Sequence, residues 1–113
     1  MAIKVSFSWW ETWMWILGNR RRFLVSGDSM KPTLENGQFV LVDPKPAVVS
    51  EGDIVICRHP TMDLELVKRV MVLEEGRFFV QGDNKKESTD SRHFGMVSRS
   101  QIQGVVTIKL KSV

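Results

Sequence analysis

The stretch Asn36-Gly37-Gln38-Phe39-Val40-Leu41-Val42-Asp43-Pro44-Lys45-Pro46 decides the fold class. Asn-Gly is a strong turn signal because both residues tolerate a positive φ. Gln38 to Val42 is a short, mostly apolar run that suits a pleated surface. Asp43-Pro44-Lys45-Pro46 ends it, since neither proline can donate to a ladder. The same alternation of turn, run and breaker continues in both directions. Upstream, Phe23-Leu24-Val25 leads into Gly27-Asp28-Ser29. Downstream, Gly52-Asp53 opens Ile54-Val55-Ile56-Cys57, which Arg58-His59-Pro60 closes. Glu65 to Leu73 is the next strand and Phe78-Phe79-Val80 another. Gly82 to Arg92 is polar and reads as loop, and Gly104 to Leu110 ends the series as a strand. Short strands punctuated by Gly and Pro predict a mainly β domain of antiparallel strands.

Residues 23–113 form that domain; residues 1–22 read differently. Met1 to Ser8 alternates apolar and polar as a short strand would. All four tryptophans then fall in Trp9-Trp10-Glu11-Thr12-Trp13-Met14-Trp15-Ile16-Leu17, followed by Gly18-Asn19 and a basic turn, Arg20-Arg21-Arg22. As a short N-terminal helix, Trp9 to Leu17 would span roughly 13 Å, against a hydrocarbon core of about 30 Å. It cannot cross a bilayer, and Glu11 and the lack of a small-residue cleavage site exclude a secretory signal. Trp9, Trp13, Ile16 and Leu17 share one helical face. The favoured reading docks that face on the domain or along a peptide groove. The second is a peripheral membrane contact through Trp9–Leu17 and Arg20–Arg22.

Composition narrows the function classes. At 113 residues the chain can bury one core. A net charge of +3, with one tight arginine cluster, is too little for a nucleic-acid partner. Cys57 is the single cysteine, so no internal disulfide forms and a reducing compartment is permitted. No metal-ligand spacing and no phosphate-cradling glycine loop appears, so no metal or cofactor is expected.

Candidate chemistry centres on Gly27-Asp28-Ser29-Met30-Lys31-Pro32-Thr33-Leu34. Ser29 stands between a small-residue turn and a proline-stiffened loop, as an exposed nucleophile would. A serine hydroxyl needs a neighbouring base. The two histidines, His59 and His93, both fall in segments that read as turns or loops, so a lysine is the better candidate. A lysine serves only when neutral, which requires its pKa to fall from about 10.4 towards 7–8. Burial among apolar side chains does this by stripping hydration from the charged form. In Leu66-Val67-Lys68-Arg69-Val70, alternation puts Leu66 and Val70 on the face of Lys68 and Arg69 on the other. The bland alternatives are a lysine snorkelling from a strand end and a Gly-Asp-Ser that is only a turn.

Four segments in order resemble the boxes of the type I signal peptidase (serine-lysine, S26) family. They are Gly27 to Leu34; Gly52-Asp53-Ile54-Val55; Leu66 to Val70; and Gly82-Asp83-Asn84 with Ser88-Thr89-Asp90-Ser91-Arg92-His93-Phe94-Gly95. Within that family the short form, with Arg58-His59-Pro60, most resembles the nickel-type superoxide dismutase maturation proteases. The resemblance implies a signal-peptidase-like catalytic domain in which Ser29 is the nucleophile and Lys68 the general base. Ser88 would orient the lysine, Asp90 and Arg92 would form a supporting pair, and Met30 would wall a pocket for small substrate side chains. The backbone N–H of Ser29 would be one oxyanion donor. Gly27 departs from members that carry a serine there as the second donor.

The resemblance thus implies a serine endopeptidase that removes an N-terminal leader from a protein precursor, with the nickel superoxide dismutase precursor as its substrate. Absence of a membrane anchor and of the large inserted subdomain favours a cytoplasmic enzyme acting on a soluble precursor. A peripheral leader peptidase recruited by the Trp-rich segment is the alternative. A self-cleaving repressor-type regulator shares the Gly-Asp-Ser-Met turn and the strand lysine, but no DNA-binding segment or Ala-Gly or Cys-Gly bond precedes Ser29. An inactive binding module is the remaining alternative.

Overall fold

A computed structural model describes residues 20–110 of the chain. The expected Met1–Ser8 strand and Trp9–Leu17 helix lie outside the described residues. Among the described residues seven strands follow one another: β1 (Arg21–Leu24), β2 (Phe39–Asp43), β3 (Ile54–Arg58), β4 (Glu65–Glu74), β5 (Arg77–Gln81), β6 (Val97–Ser98) and β7 (Ile102–Lys109). They form one antiparallel sheet in the order β1-β2-β7-β3-β4-β5-β6. The fold is therefore mainly β, as the punctuated strand pattern predicts. Arg21 and Arg22 belong to β1, so the basic cluster is partly strand.

β3 shows why both faces are covered. Val55 and Cys57 point into one apolar cluster with Val70, Val80, Phe78, Val97 and Ile102. Ile56, between them, joins a second cluster on the other face with Val25, Met30, Leu34, Val40, Val42 and Val67. Alternation along a strand with both faces buried produces a continuous apolar run, which is how Ile54 to Cys57 reads. Register shifts at Leu41/Val42, Ile56/Cys57 and Val70/Val72 bend the sheet. β7 reaches its place between β2 and β3 because Gly104 lacks a side chain. A Cβ there would lie 2.3 Å from Val42 Cγ1 and 2.9 Å from the Asp43 carbonyl oxygen.

The stretch from Gly82 to Arg92 is not all loop. It contains a 3-10 turn, Lys85–Glu87, and the start of a one-turn helix, α1 (Ser91–Phe94). Asp90 caps α1, accepting the Arg92 N–H while its own N–H is accepted by His93 Nδ1. His93 therefore lies in a helix rather than a loop. Four residues are too few for periodicity to reveal, and the capping box uses Asp and His instead of the usual Ser/Thr and Glu pair. Two bonds stitch the start of α1 to β5 and the residue after it: Val80 N–H to Ser91 Oγ, 2.9 Å, and Gly82 N–H to Asp90 Oδ2, 3.0 Å.

Candidate active site

The candidate nucleophile loop, around Ser29, is anchored from below. Met30 and Leu34 are fully buried in the second cluster, and the Leu34 N–H closes a turn on the Met30 carbonyl at 2.9 Å. Ser29, one residue before this anchor, is half-buried, and among the described residues its Oγ makes no hydrogen bond. The Met30 side chain, expected to wall a substrate pocket, packs within the core. Gly27 is exposed and has φ +90°, a left-handed conformation that glycine adopts without strain. Its N–H is accepted by Asn36 Oδ1 at 2.8 Å.

Lys68 lies in the middle of β4, opposite Val55 of β3, with 3% of its surface exposed. It does not snorkel from a strand end. Its face is shared with Leu66, Val70, Val55 and Cys57, as alternation predicts. Nζ donates to Ser88 Oγ at 2.9 Å, and the Ser88 hydroxyl donates to Asp90 Oδ2 at 2.7 Å. Because the single Ser88 proton is committed to Asp90, its oxygen can only accept from Lys68. A neutral Lys68 amine would thus give one N–H to Ser88 and keep a lone pair for another proton.

Arg92 grips Asp90 with both arms, Nε to Oδ1 at 2.9 Å and a terminal nitrogen to Oδ2 at 3.0 Å. The same guanidinium reaches the Lys85 carbonyl at 2.9 Å, tying down the loop that carries Ser88. Gly82 connects this cluster to the nucleophile loop. A Cβ on it would fall 2.3 Å from Ser88 Oγ and 2.6 Å from the Ser29 carbonyl oxygen. The structure therefore joins Lys68, Ser88, Asp90 and Arg92 in one hydrogen-bonded cluster and sets the Ser29 backbone beside it, from three separate segments.

Electrostatics follow from this packing. Burial lowers the Lys68 pKa, against the opposing pull of Asp90 and a smaller one from Cys57. Burial alone would raise Asp90. Bonds from Arg92, the Gly82 N–H and Ser88 outweigh it and hold that carboxyl well below the usual carboxylate range. Burial pushes the Cys57 thiol up to about 12, partly offset by Lys68. Cys57 is an inert core residue. The histidines are occupied elsewhere. His59 Nδ1 accepts the Thr61 and Met62 N–H groups at 3.1 and 3.2 Å while its ring tilts against Phe94 of α1, 4.7 Å between centroids. His93 Nδ1 is taken by Asp90 N–H.

Sequence reading assigned no role to a second network on the opposite face of β4. Arg69 clasps Asp83 in a two-armed pair at 2.9 and 2.8 Å and reaches the Gly52 carbonyl at 2.8 Å. Asp83 also accepts the Thr33 hydroxyl of the nucleophile loop. Hydrogen bonding from Arg69 lowers the Asp83 pKa, and the same bond raises that of Arg69. Asn84 follows, with its N–H on the Ser29 carbonyl at 2.8 Å and its side-chain Nδ2 on the Asp28 carbonyl at 3.0 Å. The Gly82-Asp83-Asn84 box was the available signal, with Arg69 pointing away from Lys68. Among the described residues, no group of three or more His, Cys, Asp or Glu side chains is placed to hold a metal ion. No helix there is long and apolar enough to cross a membrane.

A buried lysine held by a serine and a carboxylate, next to an anchored serine loop on a curled antiparallel sheet, is a protease-like arrangement. Residues 6–107 match the Peptidase S24-like family, and the chain belongs to it. It is similar to the mitochondrial inner membrane protease subunit 1 of Mus musculus, 29% identical over 111 residues that cover 77% of this chain and 67% of the relative. It is also similar to the mitochondrial ATP-independent inner membrane protease subunit 1a of Arabidopsis thaliana, 32% identical over 113 residues, covering 76% and 67%. Over a shorter stretch it resembles signal peptidase I V of Bacillus subtilis (strain 168), 41% identical over 51 residues, covering 43% and 30%. The chain spans about two thirds of the length of the first two relatives.

Proposed function

We propose that this chain is a serine endopeptidase with a Ser29-Lys68 dyad that removes an N-terminal leader from a protein precursor. The observation that carries the reading is Lys68: buried, depressed in pKa, and oriented by Ser88 beside the loop of an unbonded serine hydroxyl. In the first step neutral Lys68 takes the Ser29 proton as Oγ attacks the scissile carbonyl carbon. The carbonyl π pair moves onto oxygen, where the Ser29 N–H meets it. That donor is worth about 3–4 kcal/mol of barrier when well aimed. As the intermediate collapses, the C–N bond breaks and the Lys68 ammonium returns the proton to the leaving amine. Lys68 then deprotonates a water that hydrolyses the acyl-enzyme and frees Ser29.

Peptides enter such sites extended, as an added strand, with backbone pairing for affinity and small pockets for alternate side chains. The short form with Arg58-His59-Pro60 favours a nickel superoxide dismutase precursor as substrate. Trimming it would expose a new N-terminal amine that can ligate a metal, and the protease itself would hold no nickel. The test is incubation of the purified chain with that precursor and, separately, with a secretory preprotein, followed by N-terminal sequencing. Cleavage of the first alone supports the maturation role; cleavage of the second alone removes it.

The relatives' names favour a second reading, a leader peptidase held at a membrane surface. Trp9–Leu17 and Arg20–Arg22 would supply the contact, on an otherwise cytoplasmic protein. Pelleting with anionic vesicles, reversed by salt with activity retained, supports it; a chain that stays in the supernatant excludes it.

A further inference from the structure

The Asp28–Ser29 and Ser29–Met30 peptide planes flank the nucleophile, and both are held by Asn84. Its backbone N–H donates to the Ser29 carbonyl at 2.8 Å, and its Nδ2 donates to the Asp28 carbonyl at 3.0 Å. The Asp28 carbonyl also receives the Lys31 N–H at 3.2 Å. In a trans peptide the C=O and N–H point in opposite directions. Fixing the Asp28 carbonyl therefore aims the Ser29 N–H the other way, and no described residue accepts from that N–H. Hydrogen bonds received at a carbonyl also polarise its peptide and strengthen the N–H as a donor. Asn84 is itself fixed, because its neighbour Asp83 is clasped by Arg69 and Thr33.

We infer that Asn84 is a positioning residue that sets and strengthens the Ser29 N–H as oxyanion donor, acting through the Asp28 carbonyl. This gives the site a device that does not depend on a side-chain donor at Gly27. The inference rests on the Ser29-Lys68 protease reading and adds to it a residue with its own kinetic signature. Lys68 governs the proton; Asn84 governs the oxyanion. The two are separable, since Asn84 makes no hydrogen bond to Lys68 or Ser88.

Two substitutions test it in the full chain, on a precursor peptide that the wild type cleaves, with Ser29→Ala in parallel. Asn84→Ala removes the carboxamide and keeps the backbone N–H. Asn84→Asp keeps the shape but sets an anionic oxygen against the Asp28 carbonyl. The expected result is a fall in kcat of about tenfold to a hundredfold, larger for Asp, with KM changed by less than about twofold. The pH midpoint and the melting temperature stay where the wild type has them. The inference is overturned if Asn84→Ala retains wild-type kcat, or if its loss appears in KM alone, in a moved pH midpoint or in a lowered melting temperature. Should Asn84→Asp unfold the loop, Asn84→Ala decides. A wild type no faster than Ser29→Ala overturns the protease reading, and this inference with it.

Discussion

Lys68 is a charged residue type in an apolar place, and its consequences are readable through pH. Because burial lowers its pKa, the rate should rise with pH to a midpoint below that of an ordinary lysine. Asp90 opposes the shift, so Asp90→Asn should move the midpoint to lower pH. It should also reduce the maximal rate, because Ser88 loses its charged acceptor. A pH-rate series on both proteins checks this; a midpoint that stays or rises contradicts it. Stability follows the same proton. Between the lowered folded value and the ordinary one, the unfolded chain binds more protons at Lys68, so its contribution to stability rises with pH. At neutral pH the amine is a burden, and Lys68→Met should abolish cleavage while stabilising the fold by about 1 kcal/mol. Denaturant melts at pH 7 measure it. How much of this was legible at the residue scale depends on the side chain. Alternation alone placed Lys68 between Leu66 and Val70 and turned Arg69 away. Met30 is buried in the second apolar cluster, and in a sequence a pocket wall and a core residue have the same apolar signature.

At the scale of elements, the segment from Gly82 to α1 joins everything else. Its first residue packs against both serines, its second and third hold the nucleophile loop, and its helix cap carries Asp90. Gly82→Ala puts a methyl against the Ser88 side chain and the Ser29 backbone. We expect it to cost about 1–3 kcal/mol and at least tenfold in rate, more than its volume alone suggests. A melting curve with normal activity contradicts that. Asp83→Ala strands Arg69 and frees Thr33. It should destabilise by about 1–3 kcal/mol, and a double-mutant cycle with Thr33→Val should be non-additive. The sequence marked this segment as polar and loop-like, which is accurate for most of it. Its helical turn was not legible because one turn has no period and its Asp-His capping box departs from the usual Ser/Thr and Glu pair. Asp90 also accepts the Gly82 N–H and the Ser88 hydroxyl.

For the whole molecule, the longer strands were legible and strand order was not. Phe39–Asp43, Ile54–Arg58 and Glu65–Glu74 lie within a residue of where their apolar runs predicted. The insertion of β7 between β2 and β3 is a long-range choice, enabled by the close approach at Gly104, that no local pattern records. β6, two residues long, carries too little pattern to see. The acid limit belongs to this scale too. Asp83 and Asp90 are both held below their ordinary values. Between the folded and unfolded values the unfolded chain binds more protons. Stability is thus fully present above the unfolded pKa and is lost as pH falls through the folded ones. Melting temperature should fall below about pH 4, and less steeply in Asp83→Asn; equal slopes contradict it. All of these effects converge on whether Ser29 and Lys68 act as one unit. Initial rates of precursor cleavage for the wild type, Ser29→Ala and Lys68→Ala across pH test that most directly. The account predicts a rate that rises with pH in the wild type and falls by about a thousandfold or more in each variant, with Ser29→Ala still folded. Either variant cleaving within about tenfold of the wild type, or a wild-type rate that peaks in acid, contradicts it.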